Sequence, residues 1–150
     1  MADPSSGRYL PIRDGLLGAL QGWPALGGVK RWCTDEAAFG QTAASQAPVI
    51  AVCYADVAGE ERSAWAGKGR DHSYYLEVRL AVRALDSGAC EDLLFGYVEA
   101  AEDAIRADET LGGLVRHTAI GSVRRVRQAD GGAFLGQAVI ELSCEAKVAS

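Results

Sequence analysis

The chain has 150 residues, of which 49% are hydrophobic and 23% charged, as is ordinary for one soluble globular domain. Its net charge of −5 argues against a general nucleic-acid surface, because such surfaces carry a basic excess. No apolar run approaches the roughly 20 residues that a membrane helix needs. The N-terminus lacks the basic-then-apolar plan of a signal peptide. We therefore expect a cytoplasmic protein with no membrane partner.

The four cysteines give no sign of a metal site or a disulfide framework. Cys33, Cys53, Cys90 and Cys144 form no CxxC pair, and no histidine stands at ligand spacing from them. Cys53 and Cys144 fall inside strand-like runs. We interpret all four as buried, reduced thiols that act as small hydrophobic side chains.

The N-terminal part of the chain has the weaker patterns. Residues 1–8 predict a disordered arm, because little in them can pack. Residues 9–20 predict a short helix with one apolar face. Residues 25–47 have no firm pattern, although 29–32 suit a short strand and 37–47 suit a loop or a weak helix.

The next segment predicts two strands joined by a long connection. A β-branched run at 49–55 predicts a buried strand. Residues 56–72 are polar, glycine-bearing and charged, which predicts a loop longer than a hairpin turn, of the kind that is usually functional or disordered. Residues 73–85 alternate between apolar and charged side chains and predict a half-buried strand.

The strongest pattern covers residues 86–118, which predict one amphipathic helix, a Leu-Gly-Gly stop and the start of a strand. Asp86 or Ser87 can cap the N-terminus of the helix. Gly112 and Gly113 end it, because glycine reaches the left-handed conformation that helix stops use. The inner stripe of the helix consists of Leu94, Val98, Ala101 and Ile105.

A final hairpin completes the predicted fold. Residues 117–128 predict a strand with a bulge or twist, 130–132 a turn, and 134–148 a closing strand. Residues 9–150 then form a single α+β domain, a two-layer sandwich in which a mostly antiparallel four-stranded sheet is covered by helices on one face. We expect the opposite sheet face to be solvated or covered by another protein; it carries Glu77, Arg79, Arg83, Glu141, Glu145 and Lys147.

The sequence offers no recognisable catalytic constellation. The glycines around Lys68 lack the strand-to-helix context of a phosphate loop. Asp71, His72 and Ser73 are adjacent, so their side chains point in different directions and cannot form a relay. The carboxylates on the predicted helix suit a solvated face. We therefore expect no enzyme activity, no cofactor and no metal.

One aromatic residue lies on the polar side of the predicted helix. Phe95 falls among Glu99, Glu102 and Arg106. An exposed aromatic side chain surrounded by charge suits a subunit interface, and it equally suits folding back onto a neighbouring loop. Trp65, in the predicted long loop, presents the same two alternatives.

Charge is segregated between the acidic helix and the basic strand that follows it. Within one subunit these charges could pair. Between subunits they would form a head-to-tail contact of the kind that closes into a ring. The candidate interface residues are therefore Phe95, Glu99, Glu102, Arg106, Arg116, Arg124, Arg125, Arg127 and Trp65.

Residues 100–114, AAEDAIRADETLGGL, resemble a signature of tail terminator (tail completion) proteins of long-tailed bacteriophages and related gene transfer agents. In these proteins a helix ends in a short Asp-Pro-Thr-Leu-Gly-Gly-like turn that leads into a β-hairpin. Here Glu109 stands where proline is common. The resemblance extends to the order of the elements over residues 49–148.

The resemblance implies an α+β protomer that assembles into a ring, most often a hexamer, on the end of a finished tail tube. Such a ring stops polymerisation of the tube protein and provides the surface that joins the head connector. It implies no catalysis, contact with DNA only as the DNA passes through the channel, and a place in the virion after assembly in the host cytoplasm. The acidic charge of the chain suits such a channel.

Two other interpretations stay open. One is a neck protein on the head side, such as an adaptor or a stopper. The other belongs to a different class, a small ligand-binding or enzymatic α+β domain with residues 56–72 as a lid. A ring with a central hole would favour the terminator. A stable monomer that binds a small molecule would favour the ligand-binding or enzymatic domain.

Overall fold

The computed structural model describes residues 9–55 and 71–147. The predicted arm at 1–8, and the predicted loop at 56–72 apart from its last two residues, lie outside this range. No helix in the described part of the chain is long and apolar enough to cross a membrane. The elements are α1 (Tyr9–Gln21), a 3-10 turn (Pro24–Leu26), β1 (Arg31–Cys33), α2 (Glu36–Thr42), β2 (Val49–Tyr54), β3 (Asp71–Ala84), α3 (Ser87–Ala107), β4 (His117–Asp130) and β5 (Ala133–Lys147).

The strands form one mixed sheet in the order β1-β2-β3-β5-β4. The pairs β2–β3, β3–β5 and β5–β4 are antiparallel, whereas β1 lies parallel to β2. The α+β class and the mostly antiparallel pairing are confirmed. The prediction of four strands is wrong, because the three residues of β1 add a fifth. A parallel neighbour needs a crossover connection, and α2 lies within it.

Two helices cover one face of the sheet. The alternation in β3 directs Leu76, Val78 and Leu80 to this face, where they join the buried side chains of α1 and α3 in the main core. β3 and β5 pair over fourteen positions, from Asp71 opposite Lys147 to Ala84 opposite Phe134. This long central ladder holds the apolar residues of both strands on the same side.

The other face of the sheet carries a second, smaller core. Phe39 and Ala43 of α2 pack there with Ala51, Cys53 and Leu135. The prediction that the helices cover only one face is therefore wrong. The reason lies in β2, whose residues from Val49 to Cys53 are all buried, so that both of its faces require an apolar cover.

The helix α3 follows its predicted pattern closely. The Asp86 carboxylate accepts a hydrogen bond of 2.9 Å from the backbone N–H of Ala89, which confirms the N-terminal cap. The predicted inner stripe is buried. Below the first turns of the helix lies Gly136 of β5, where an added Cβ would approach the Cys90 Sγ to 3.1 Å. The helix thus sits close to the sheet because position 136 has no side chain.

A tight turn joins α3 to β4 after the helix has ended at Ala107, with Asp108 as its C-cap residue. The prediction that Gly112 and Gly113 end the helix is therefore wrong, and these glycines shape the turn that follows it. Leu111, Gly112 and Gly113 have φ angles of 51°, 70° and 96°. The Asp108 carboxylate accepts a hydrogen bond of 3.0 Å from the Gly112 N–H, and the Leu111 side chain is buried. The motif therefore combines a carboxylate acceptor, an apolar anchor and two glycines that tolerate the left-handed region.

The irregularity predicted in β4 is a register shift between Ile120 and Val123. Ile120 pairs with Leu142, and Val123 pairs with Ile140, so both lie on the face covered by α1 and α3. After the shift, side chains at every second position from Val123 lie on this same face. Arg125 and Arg127 consequently face α3, whereas Arg124 faces the opposite side.

We expect Gly113→Ala to lower the free energy of unfolding by about 1–2 kcal/mol, because a Cβ is strained at this φ angle. Gly18→Ala is the matched control. Gly18 lies in α1 with nothing within 4 Å of an added Cβ, so alanine there raises stability by about 0.5–1 kcal/mol. Urea unfolding of both variants measures the two effects. Equal stability of Gly113→Ala and the wild type would contradict the role of the turn.

Candidate functional site

A cleft between α3 and β4 contains the exposed aromatic residue that the sequence pointed to. Phe95 is 39% exposed, and the Arg125 guanidinium carbon lies 4.1 Å from the centre of its ring. This is a cation–π contact. Phe95 therefore folds back within its own subunit, but onto a strand and not onto a loop.

An ion pair closes the same cleft one helical turn earlier. The Arg127 guanidinium donates a hydrogen bond of 2.7 Å to the Glu91 carboxylate. Glu91 and Phe95 are one turn apart on α3, and Arg125 and Arg127 are two residues apart on β4, which are similar spacings. The cleft has a volume of about 300 Å³ and a floor formed by Cys90, Leu94 and Gly136.

The third arginine of β4 lies on the other side of the sheet. The Arg124 guanidinium is 3.5 Å from a Glu77 carboxylate oxygen and 3.4 Å from a Glu141 oxygen. Glu77 is only 9% exposed. It is also 3.1 Å from Arg79, so two cations stabilise this buried carboxylate.

The charges of this second face neutralise one another within the chain. Arg79 also contacts Glu36 of α2 at 3.4 Å, and the Ser122 hydroxyl donates a hydrogen bond of 2.7 Å to Glu141. Arg83 pairs with Asp130 at 3.0 Å. Part of this face is covered by α2. Of the charged residues expected here, Glu77, Arg79, Arg83 and Glu141 form ion pairs within the chain, and Glu145 is exposed. The Lys147 side chain lies outside the described residues.

The outward side of α3 keeps uncompensated carboxylates. Glu102 and Arg106 form the i,i+4 pair that the spacing suggests, at 3.7 Å. Asp92, Glu99 and Asp103 are exposed, and in the described part of the chain none of them has an ion-pair partner. This side of the helix therefore carries a local negative charge that the described residues do not balance.

The structure brings together only part of the predicted interface. Phe95, Arg125 and Arg127 share the α3–β4 cleft, whereas Arg124 lies across the sheet from them. Arg116 is exposed just before β4, and its backbone N–H donates to the Glu145 carbonyl at 2.7 Å. Trp65 lies outside the described residues. The expected segregation of charge is resolved partly by pairing within one subunit.

Sequence reasoning missed Glu91 as a partner of the basic strand. The signal was available in the matching spacings of Glu91 and Phe95 on the helix and Arg125 and Arg127 on the strand. Predicting these pairs required knowledge of the register shift between Ile120 and Val123. A shift of one residue moves every later side chain of β4 to the opposite face of the sheet.

The four thiols are free and buried. Burial raises the pKa of Cys53 to about 11, with Arg79 opposing the shift. Burial also raises the pKa of Cys144, opposed by its hydrogen bond with Thr118. Burial raises the pKa of Tyr9 to about 12; its ring makes an edge contact with Tyr54 at 5.6 Å. The side chains of Cys53, Cys144 and Tyr9 therefore stay protonated near neutral pH and act as packing elements.

The described residues contain no group of three or more histidine, cysteine, aspartate or glutamate side chains arranged to hold a metal ion. No family model matches the sequence, and no curated protein matches it. What the described surface offers is a cleft with an aromatic and two arginines, a compensated sheet face and an acidic helix face.

A double-mutant cycle tests the contact between Phe95 and Arg125. We expect Phe95→Ala and Arg125→Ala to be coupled by about 0.5–1 kcal/mol in the free energy of unfolding, as for a partly exposed cation–π pair. Urea unfolding of the two single variants and the double variant gives the coupling. The control cycle pairs Phe95→Ala with Val126→Ala. Val126 is next to Arg125 in the strand, but its side chain lies on the opposite face of the sheet. Strict additivity in the first cycle would contradict the contact.

The raised pKa of Cys53 predicts alkaline destabilisation. The unfolded thiol ionises near pH 9, whereas the folded thiol stays protonated to about pH 11. Its stabilising effect is therefore complete below pH 9 and is lost as the pH rises from about 9 to about 11, by about 2 kcal/mol.

Urea unfolding at several pH values compares the wild type with Cys53→Ala, which we expect to lose stability less steeply over this range. Val52→Ala, a neutral truncation in the same strand, should lower stability equally at each pH. Parallel pH curves for the wild type and Cys53→Ala would refute the prediction.

Proposed function

We propose that the chain is a structural protein of the tail-terminator kind. It assembles into a ring at the head-proximal end of a tail tube, ends polymerisation of the tube protein and provides the surface that joins the head connector. It acts without catalysis or a cofactor. DNA passes through the ring without a binding site of its own, and the protein ends in the virion after assembly in the host cytoplasm.

The observation that carries the proposal is the turn at residues 108–113. Three residues of its signature have distinct physical tasks there. Asp108 accepts the Gly112 N–H, Leu111 anchors the turn in the core, and Gly113 has a φ angle of 96°. The turn directs the chain from α3 into the β4–β5 hairpin. A likeness based on a turn with these demands is more informative than one based on a run of similar residues.

The surfaces of the subunit support the same proposal. An acidic outer face on α3 and exposed cations at the β1 edge are different surfaces of one protomer, as a head-to-tail contact requires. The net charge of −5 disfavours retention of DNA in a channel. A head-side adaptor or stopper would use similar surfaces. It would differ from a terminator in binding the head connector alone and not the tail tube.

A second candidate is a small ligand-binding domain. The observation in its favour is the α3–β4 cleft of about 300 Å³, which has an apolar floor and two arginines at its rim. That volume is at the lower end for small-molecule sites. Phe95→Ala would remove ligand binding under this alternative, and it would leave ring formation in place if the terminator proposal holds.

We expect the purified chain to form a ring with a central hole in negative-stain images and to show a multiple of the 15.8 kDa subunit mass by light scattering. Deletion of the gene for this chain should yield tail tubes of irregular length that are not joined to heads. Normal tube lengths with unjoined heads would indicate the head-side role. A stable monomer that binds a small molecule would overturn the ring proposal.

A further inference from the structure

We propose that the outer face of α3 docks onto the β1 corner of a second copy of this chain. The outer face comprises Asp92, Leu93, Gly96, Glu99 and Asp103 of α3. The β1 corner comprises Lys30, Arg31 and Leu85. This inference rests on the proposed ring and names the contact that holds neighbouring subunits together.

In the described part of the chain, the outer face of α3 carries unpaired carboxylates and a shallow depression. Asp92, Glu99 and Asp103 are exposed and have no ion-pair partner within the described ranges. Next to them lies a shallow depression of about 350 Å³, lined by Ala25, Leu93, Gly96, Tyr97 and Ala100. Leu93 is 38% exposed. The depression is largely apolar and is bordered by carboxylates.

Gly96 adds a further reason to expect a close neighbour here. A Cβ at this position would have nothing within 4 Å, so the subunit itself does not require glycine. Glycine in a helix interior costs about 0.5–1 kcal/mol relative to alanine. A second copy that approaches the helix at this point would make use of the missing side chain.

The β1 corner has the complementary properties. Leu85 is 81% exposed, the most exposed of the large hydrophobic side chains described. It shares a surface hollow with Lys30. Lys30 and Arg31 are exposed at the start of the edge strand β1, and neither has an ion-pair partner in residues 9–55 and 71–147. An apolar side chain beside Lys30, with Arg31 next to it in sequence, is complementary to an apolar depression that Asp92 lines.

Among the cations whose side chains the structure describes, the others are less suitable. Each forms an ion pair, stacks on an aromatic ring or makes another contact within its own chain; these are Arg13, Arg79, Arg83, Arg106, Arg116, Arg124, Arg125 and Arg127. A symmetric contact of α3 with α3 would place two acidic faces together. The contact is therefore between unlike surfaces, which generates a ring if the rotation closes.

Charge exchange tests this contact. Asp92→Lys with Glu99→Lys reverses one surface, and Lys30→Glu with Arg31→Glu reverses the other. We expect each pair alone to weaken assembly of the full chain about 100-fold, because like charges then meet at every interface. All four substitutions together restore opposite charges and should return the dissociation constant to within about tenfold of the wild type. Sedimentation measures assembly, and circular dichroism checks that each variant is folded.

Leu85→Asp tests the apolar part of the contact and should also weaken assembly. Val126→Asp is its matched control, because Val126 is 62% exposed on the opposite sheet face and lies outside the proposed contact. Glu145→Lys is the control for charge reversal at an exposed carboxylate. Both controls should assemble as the wild type does.

The outcomes separate this inference from the proposed function. If the wild type forms rings and the reversed variants do so equally, the contact is wrong and the ring proposal stands. The same variants would assemble normally if Lys30 and Arg31 only protect the edge of β1, since glutamate protects it equally well. Weakening without rescue in the fourfold variant would also overturn the contact. A monomeric wild type would overturn both proposals.

Discussion

The close seating of α3 on the sheet at Gly136 is the constraint on which the described surface depends. Any side chain at that position would meet the Cys90 thiol, Leu94 and Val82 at van der Waals limits. Because the helix sits this low, Glu91 and Phe95 lie level with the side chains of β4. One side of the helix is then occupied by Arg125 and Arg127. On the outward side of the helix, residues 9–55 and 71–147 provide no ion-pair partner for Asp92, Glu99 and Asp103.

The register shift in β4 has an equally large effect on electrostatics. Without it, the three arginines at 124, 125 and 127 would each lie on the other face of the sheet. With it, Arg127 meets Glu91 of α3, and Arg124 completes the ion pairs around the buried Glu77. A single irregularity therefore decides which charges are compensated within the subunit. In the described part of the chain, the charges without an ion pair include the carboxylates on the outer face of α3 and the cations at the β1 edge.

The proposed function depends on two features that differ in kind. The turn at residues 108–113 is a matter of local backbone geometry, and it carries the likeness to tail terminators. The acidic α3 face and the basic β1 corner are products of the tertiary fold. In the proposed ring, these two unlike surfaces would meet between neighbouring subunits. The compensated sheet face would remain available for a different partner, such as the tube or the head connector.

The sequence by itself determined the elements with strong periodicity or explicit end signals. The start of α3 with its Asp86 cap, the glycine turn before β4, the β3 alternation and the bulge in β4 all follow from local patterns. The end of α3 at Ala107 did not, because Asp108 and not a glycine caps it. It did not determine β1 or the placement of α2, because a three-residue strand has too little pattern and gains its stability only from pairing with β2. Nor did it determine which arginines face α3. That depends on how a long strand is aligned with its neighbour, and only the packed sheet defines this alignment.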